Sequence, residues 1–347
     1  MTTVQEQARA QIVASDAAVS SENYTVLVEE GASTSAPSLT LAKALRGLGR
    51  AVITVVVRDL TRREWLRVLR SAEAIVVVRY HAIPTYFLSQ LAMAVALDVP
   101  VVRWWVGSDV LNVLEFEDVR RTALRLDGIV STNVAVAPHL VSELASVGIS
   151  AELVPSPLDP ELATSEVAAP VEGVRPVLTY LPGKRKDFFG FEIIEQVVKA
   201  NPDLHFIIVA DHTHALASYP NVESLGWVED MKPLYARAGC ILRITEHDGL
   251  PRMLIEGMLR GMYAIYSWPL EGSWQARTRE EVQMALERYR GASMPNVRGR
   301  DAMLQLLDAR PDVQMSNLIA SASVPVKTRA RALSLAMQTK IFPERFT

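Results

Sequence analysis

The sequence predicts an α/β chain built from two doubly wound, Rossmann-like domains. From Tyr24 onward, short runs rich in Val and Ile alternate with longer segments of helical period, the pattern of a parallel sheet with crossover helices. A Pro-rich stretch interrupts this rhythm near mid-chain, after which it restarts, and 347 residues suit two domains rather than one.

In the first half the expected strands are Tyr24–Val28, Ala51–Val57, Ala74–Val78, Val101–Trp104, Gly128–Ser131 and Ala151–Val154. Continuous apolar runs of this kind suit strands buried on both faces. Helical periodicity marks Ser38–Leu48, Arg62–Arg70, Tyr86–Leu97 and Pro138–Ser146, with Gly47-Leu48-Gly49 a turn signal at the end of the first. Between Pro155 and Pro176 there are five prolines and no clear period, so this stretch is the expected linker. Beyond it, strands are expected near Val177–Leu181, His205–Val209, Cys240–Arg243 and Met262–Ser267. Helices are expected at Phe191–Ala200, Lys232–Ala238 and Leu254–Arg260, and a basic helix at Lys327–Lys340. The expected division is a flexible leader over 1–22, a first domain over 23–155, a linker over 156–175, a second domain over 176–325, and a C-terminal helix and tail over 326–347.

Composition narrows the function classes. A formal net charge of -3 supplies no global field for nucleic acid, which is not the expected partner. Cys240 has no second cysteine to pair with, so a disulfide framework and a cysteine zinc site are ruled out and a reducing, cytoplasmic setting is expected. The first residues lack the basic start and apolar core of a secretory signal, and no run of about 18 uncharged apolar residues occurs to form a membrane span.

In open α/β sheets ligands bind beyond the carboxyl ends of the strands. The most informative loop there is Ile244-Thr245-Glu246-His247-Asp248-Gly249-Leu250-Pro251, which leads into a helix near Arg252. Thr245, Glu246 and Asp248 are cap-type or acidic residues. Gly249 permits close backbone approach, and the amides of such a helix start can hold a diphosphate. Glu256 lies one turn inside, where a carboxylate can accept two hydrogen bonds from a vicinal diol. Residue chemistry leaves two readings open: a nucleotide-sugar cradle, or a capped helix with Glu256 on its solvated face.

The run Asp248 to Met258, followed by Gly261-Met262-Tyr263-Ala264-Ile265, resembles the donor motif of retaining glycosyltransferases of the GT-B fold, the large glycosyltransferase group 1 family. That motif has a Glu, seven intervening residues and a second Glu. The resemblance implies two Rossmann-like domains facing a central cleft. It also implies contact of Asp248 with the transferred sugar, a hold of Glu256 on the ribose, and a donor lining from His247, Gly249, Leu250 and Pro251. Asp248 stands for the family's Glu and Gly257 for its usual Ala. Gly183-Lys184-Arg185-Lys186 stands where the family binds the donor phosphates, and a solvated basic turn is the other reading of it. Asn221-Val222 with Leu225-Gly226-Trp227-Val228 resembles the family's stretch bordering the base.

In the first half, Glu29 to Ser35 forms a small-residue loop after the first strand. Arg79-Tyr80-His81 and Arg103 to Asp109 resemble the family's active-edge loops. His81 and Asp109 are the candidate catalytic residues there, beside Asp248. An N-cap is the alternative for Asp109, and core packing the alternative for Trp104 and Trp105. His212 and His214 lack a third ligand, so no metal site and no cofactor is expected. Arg58 to Arg70 holds five arginines and Trp65, which fits either a charged surface helix or peripheral contact with anionic lipid heads. The expected function is retaining transfer of a sugar from a nucleotide-diphosphate sugar to an acceptor hydroxyl of unknown class. A nucleotide-sugar epimerase and a non-catalytic binding subunit are the alternatives.

Overall fold

The computed structural model describes residues 24–29, 37–56, 60–78, 85–158, 160–167 and 173–341. The chain divides into two compact units, residues 1–159 with 310–347, and residues 160–309.

The first unit carries six parallel strands, β1 (Tyr24–Glu29), β2 (Val52–Val56), β3 (Ala72–Val78), β4 (Val101–Trp105), β5 (Thr132–Ala135) and β6 (Glu152–Leu153), in the order β2-β1-β3-β4-β5-β6. Ala74 to Val78 are buried without a break, as a strand covered on both faces requires. The crossover helices are α1 (Pro37–Gly47), α2 (Arg62–Arg70), α3 (Thr85–Ala96), α4 (Ser108–Glu115), α5 (Glu117–Asp127) and α6 (Pro138–Ser146). α2 opens on a capping box in which Thr61 and Glu64 satisfy each other's backbone amides. Trp65 is fully buried, its indole donating to the Gln90 carbonyl at 3.3 Å, whereas Arg62, Arg63, Arg67 and Arg70 are exposed. The tryptophan is therefore a core residue and takes no part in any surface contact of this helix. Arg58 lies outside the described residues.

Two expectations need correction here. The apolar run Gly128–Ser131 is not a strand: Gly128 and Ile129 donate back to Leu124 and Leu126 at the end of α5, and only its last residue reaches β4, the Ser131 amide donating to the Val101 carbonyl at 2.8 Å just before the strand register starts at Thr132. Ile129 is apolar because it plugs the core rather than because it joins the sheet. Residues 310–325 also do not belong with the second domain. α12 (Pro311–Ser321) is tied to the first unit by Arg50, whose Nε donates to Ser316 Oγ at 2.7 Å and whose Nη2 donates to the Ser316 carbonyl at 2.8 Å. Ser131 Oγ then donates to the Ser323 carbonyl at 2.9 Å. α13 (Val326–Ile341) follows and buries Ala332, Leu335 and Ala336 among Leu88, Leu91 and Val95 of α3.

The second unit repeats the plan with β7 (Val177–Tyr180), β8 (Phe206–Val209), β9 (Val222–Ser224), β10 (Cys240–Arg243), β11 (Tyr263–Tyr266) and β12 (Trp274–Gln275), all parallel, in the order β12-β11-β10-β7-β8-β9. Its helices are α7 (Phe191–Ala200), α8 (Lys232–Arg237), α9 (Arg252–Leu259), α10 (Arg279–Arg290) and α11 (Val297–Asp308). Part of the expected linker is structured: Pro160–Thr164 forms a 3-10 turn against α9 and α11, where Arg300 Nη2 donates to the Ala163 carbonyl at 3.3 Å. The strand order reverses between β7 and β10, so the loops after these two strands flank the switch point where a doubly wound sheet opens a crevice.

Candidate functional site

Three loops meet the carboxyl edge of the second sheet. The loop after β7 makes a 3-10 turn over Gly183–Arg185. Gly183 lies against the turn after β8: a Cβ there would stand 3.0 Å from Thr213 Cγ2 and 3.2 Å from Asp211 Oδ1. Asp211 is buried and shapes that second turn, accepting from the Thr213 amide at 2.9 Å, the Thr213 hydroxyl at 2.5 Å and the Ala215 amide at 2.7 Å. Burial works to raise its carboxyl, yet these donors prevail and hold it below the ordinary carboxylate range.

The three cations of the first turn differ in their surroundings. The Arg185 guanidinium lies 4.0 Å over the Phe188 ring and the Lys186 ammonium 4.1 Å over Phe191. Lys184 is exposed, with no ring or carboxylate partner among the described residues. Gly190, with φ 67°, opens α7, and a Cβ on it would meet Ile244 Cγ2 at 2.4 Å. This close approach seats the start of the third loop.

That third loop runs from Ile244 to Pro251 behind β10. Its interior is built from local polar bonds: the Thr245 amide donates to Ser267 Oγ at 2.9 Å, and the Thr245 hydroxyl to the His247 carbonyl at 2.8 Å. His247 is buried edge-on to Trp268 at 5.3 Å, so it is a wall of the loop rather than a side chain presented to solvent. Asp248 accepts from Arg243 Nε at 2.6 Å and, through its other oxygen, from the Gly249 amide at 3.0 Å. Gly249 and Pro251 are buried, and Leu250 is half-buried.

The capped-helix reading does not hold in its simple form. α9 has Pro251 at its N-cap and no side-chain cap bond, so Thr245, Glu246 and Asp248 do not cap it. An N-terminus without a side-chain cap keeps its first-turn amides available for an anion. One turn inside, Glu256 Oε1 accepts from Arg252 Nε at 2.5 Å and Oε2 from the Tyr235 hydroxyl at 3.0 Å. Burial, reinforced by the Glu256 charge, pushes the Tyr235 hydroxyl well above its ordinary value, so it remains a donor. Two of about four acceptor sites on the carboxylate are thus used, leaving about two for a ligand. Gly257, where the resembled motif has Ala, packs on β10: an added Cβ would come within 2.2 Å of Ile241 Cδ1.

Beyond β9, Gly226 takes φ 62° and its carbonyl accepts from the Ala210 amide. This turns Trp227 outward, 58% exposed, with Val228 half-buried beside it. His214 Nδ1 lies 2.9 Å from Ser224 Oγ, and no group of three or more His, Cys, Asp or Glu side chains assembles among the described residues. Cys240 is fully buried, and burial pushes its thiol up, so it is unreactive.

In the first unit, His81, Arg79, Tyr80 and the loop 30–36 lie outside the described residues. Asp109 does not reach a surface. Its side chain is 1% exposed, pairs with Arg103 Nη2 at 2.8 Å and accepts from the amides of Val106, Gly107 and Val110 at 3.1, 2.9 and 3.1 Å. Gly107, at φ 141°, is the N-cap, so Asp109 is neither a cap nor a presented acid but the buried anchor of the β4–α4 turn. Trp104 and Trp105 are core residues, the latter under the Arg103 guanidinium at 4.4 Å and donating to Asn133 Oδ1 at 3.0 Å.

No protein-family model and no curated protein matches the chain. Solved structures do resemble it. HepE of Anabaena, solved in complex with UDP-glucose, superposes with a TM-score of 0.60 at 14% identity, over 85% of this chain and 98% of that one. Sucrose-phosphate synthase of Thermosynechococcus elongatus gives 0.62 at 11% identity, over 85% and 98%. A glycosyltransferase of Rickettsia africae gives 0.50 at 12% identity, over 93% and 99%. With two six-stranded parallel sheets on the page, these likenesses establish the GT-B fold of two Rossmann-like domains.

Proposed function

We propose that the protein is a glycosyltransferase that takes a sugar from a nucleotide-diphosphate sugar, with retention of anomeric configuration, and passes it to an acceptor hydroxyl. The observation that carries this reading is the α9 N-terminus: it has no side-chain cap, lies at the sheet's switch point beside a basic turn, and has Glu256 held one turn behind it. The first-turn amides and Lys184 would bind the diphosphate, and Glu256 the ribose diol. Trp227 would stack on the base while the Gly249 turn and Asp248 border the sugar. As the bond from the anomeric carbon to the phosphate oxygen breaks, charge builds on the leaving diphosphate. Amides and cations already aimed at it lower the barrier without a metal. The solved HepE complexes hold UDP-glucose and UDP, which supports a donor of this kind.

The exposed face of α2, with Arg62, Arg63, Arg67 and Arg70, would give peripheral contact to anionic lipid heads, checked by co-sedimentation with anionic vesicles. No described helix is long and apolar enough to cross a membrane.

A melting screen against UDP, GDP, ADP, dTDP and their sugars, followed by mass spectrometry of sugar-nucleotide turnover with and without acceptors, tests the function. One donor family should raise the melting temperature and be consumed. If no nucleotide stabilises the protein and no donor is consumed, the reading fails. Tight binding without turnover would instead favour a non-catalytic subunit, an alternative that the Arg243 hold on Asp248 makes specific.

A further inference from the structure

Arg243 ends β10 at the switch point and is only 11% exposed. Its guanidinium lies 5.2 Å over Tyr180 and 5.1 Å over Phe189, and its Nε donates to Asp248 Oδ2 at 2.6 Å. That is its one hydrogen bond among the described residues, so the Nη1 and Nη2 groups, with four N–H donors, have no partner among them. Neither Nη is among the fully buried donors that lack a partner, so both reach solvent from an otherwise buried side chain and are open to a ligand. Arg103 in the first unit, more deeply buried at 2% side-chain exposure, has both Nη groups taken up by protein oxygens. The Arg243 Nη groups lie where the loops of β7 and β10 leave the sheet, beside the Gly249 turn.

We propose that Arg243 is a specificity-determining residue whose Nη groups bind an oxyanion of the donor, with Asp248 as its fixed counter-ion. This rests on the nucleotide-sugar reading above. The shortening from Glu to Asp then has a physical sense: the shorter carboxylate stays back on Arg243 Nε, leaving the Nη edge of the fork to a planar or tetrahedral anion. Two parts of a donor offer that chemistry, the diphosphate itself and the carboxylate of a uronic-acid sugar.

Calorimetry on the full chain separates them, using the nucleoside diphosphate that the parent protein selects from UDP, GDP, ADP and dTDP, its glucose conjugate and its glucuronate conjugate. If the diphosphate is the partner, Arg243→Met weakens all three ligands alike, by about 10-fold or more. If the sugar carboxylate is the partner, the loss falls on the glucuronate conjugate alone. Either result supports the proposal. Asp248→Asn supplies the readout that a merely structural pair would not give: with the competing charge removed, the anionic ligand binds more tightly. Arg243→Lys, which keeps the charge but loses the fork, gives an intermediate loss and serves if Arg243→Met does not fold. Parent-like affinity for all three ligands in the folded Arg243 variants, or weaker binding in Asp248→Asn, overturns the assignment. A parent protein that binds no nucleotide defeats the functional reading first, and this one with it.

Discussion

If Glu256 holds a ribose diol, deleting the carboxylate and deleting the diol should be the same perturbation made from opposite sides. Oε1 and Oε2 already accept from Arg252 and Tyr235, which fix the rotamer and leave about two acceptor sites for the two ribose hydroxyls. A hydrogen bond to a charged group contributes about 1.5–3 kcal/mol. Sharing the carboxylate with Tyr235 and Arg252 weakens each bond to about half of that, about 1.5–3 kcal/mol for both together, or about 10–150-fold in Kd. Calorimetry on Glu256→Ala with the selected nucleoside diphosphate and its 2′,3′-dideoxy analogue completes a double-mutant cycle across the interface. The parent protein should prefer the ribonucleotide by that factor, and the variant should bind both alike. Tyr235→Phe, which leaves the carboxylate in place but less well fixed, should lose only part of the preference. A parent-sized preference that survives in Glu256→Ala would refute the diol assignment.

Gly190→Ala combines a left-handed backbone cost of about 1–2 kcal/mol with overpacking on Ile244 of about 1–3 kcal/mol; differential scanning fluorimetry should show a fall of at least about 4 °C. Asp109→Asn leaves the Arg103 charge buried without its carboxylate, so its urea midpoint should drop by the equivalent of about 3–5 kcal/mol. A variant as stable as the parent but without turnover would restore Asp109 as a catalytic acid. Asp211 has a folded value depressed below the unfolded one. Its contribution is therefore complete above about pH 3.9 and is lost as pH falls through the depressed value. Acid titration of the melting temperature should show a smaller decline in Asp211→Asn than in the parent, with the variant less stable by about 1–3 kcal/mol at pH 7.

The buried sheets were legible because parallel strands covered on both faces must be continuous apolar runs: β10 and the helices α2, α6 and α7 have the bounds that periodicity gives them. Gly128-Ile129-Val130 shows the limit of that signal, since an apolar run that plugs a core reads the same as one that pairs in a sheet. The assignment of 310–325 was illegible for another reason. A helix pattern records that one face is buried, not against which unit, and the ties from Arg50 to Ser316 span hundreds of residues of sequence. At the candidate site, Glu256 and Gly249 lie at the expected carboxyl edge, while Asp109 was misread because an acid at a helix start looks alike whether it faces water or a buried arginine. Arg243 was passed over as the last residue of an apolar strand. A cation at the end of a strand at a topological switch point is the signal that would have found it.

Because 310–341 completes the unit begun by residues 24–158, the molecule cannot be assembled in the order in which it is synthesised. When α3 leaves the ribosome, the helix that covers it is still some 230 residues from being translated, a delay of roughly ten to fifty seconds at ordinary elongation rates. The 160–309 unit, contiguous in sequence, can fold during that interval as an insertion with both ends tethered. The apolar flank of α3 meanwhile stays uncovered, a surface for a holding chaperone, and a stop codon anywhere before α13 would leave it so permanently.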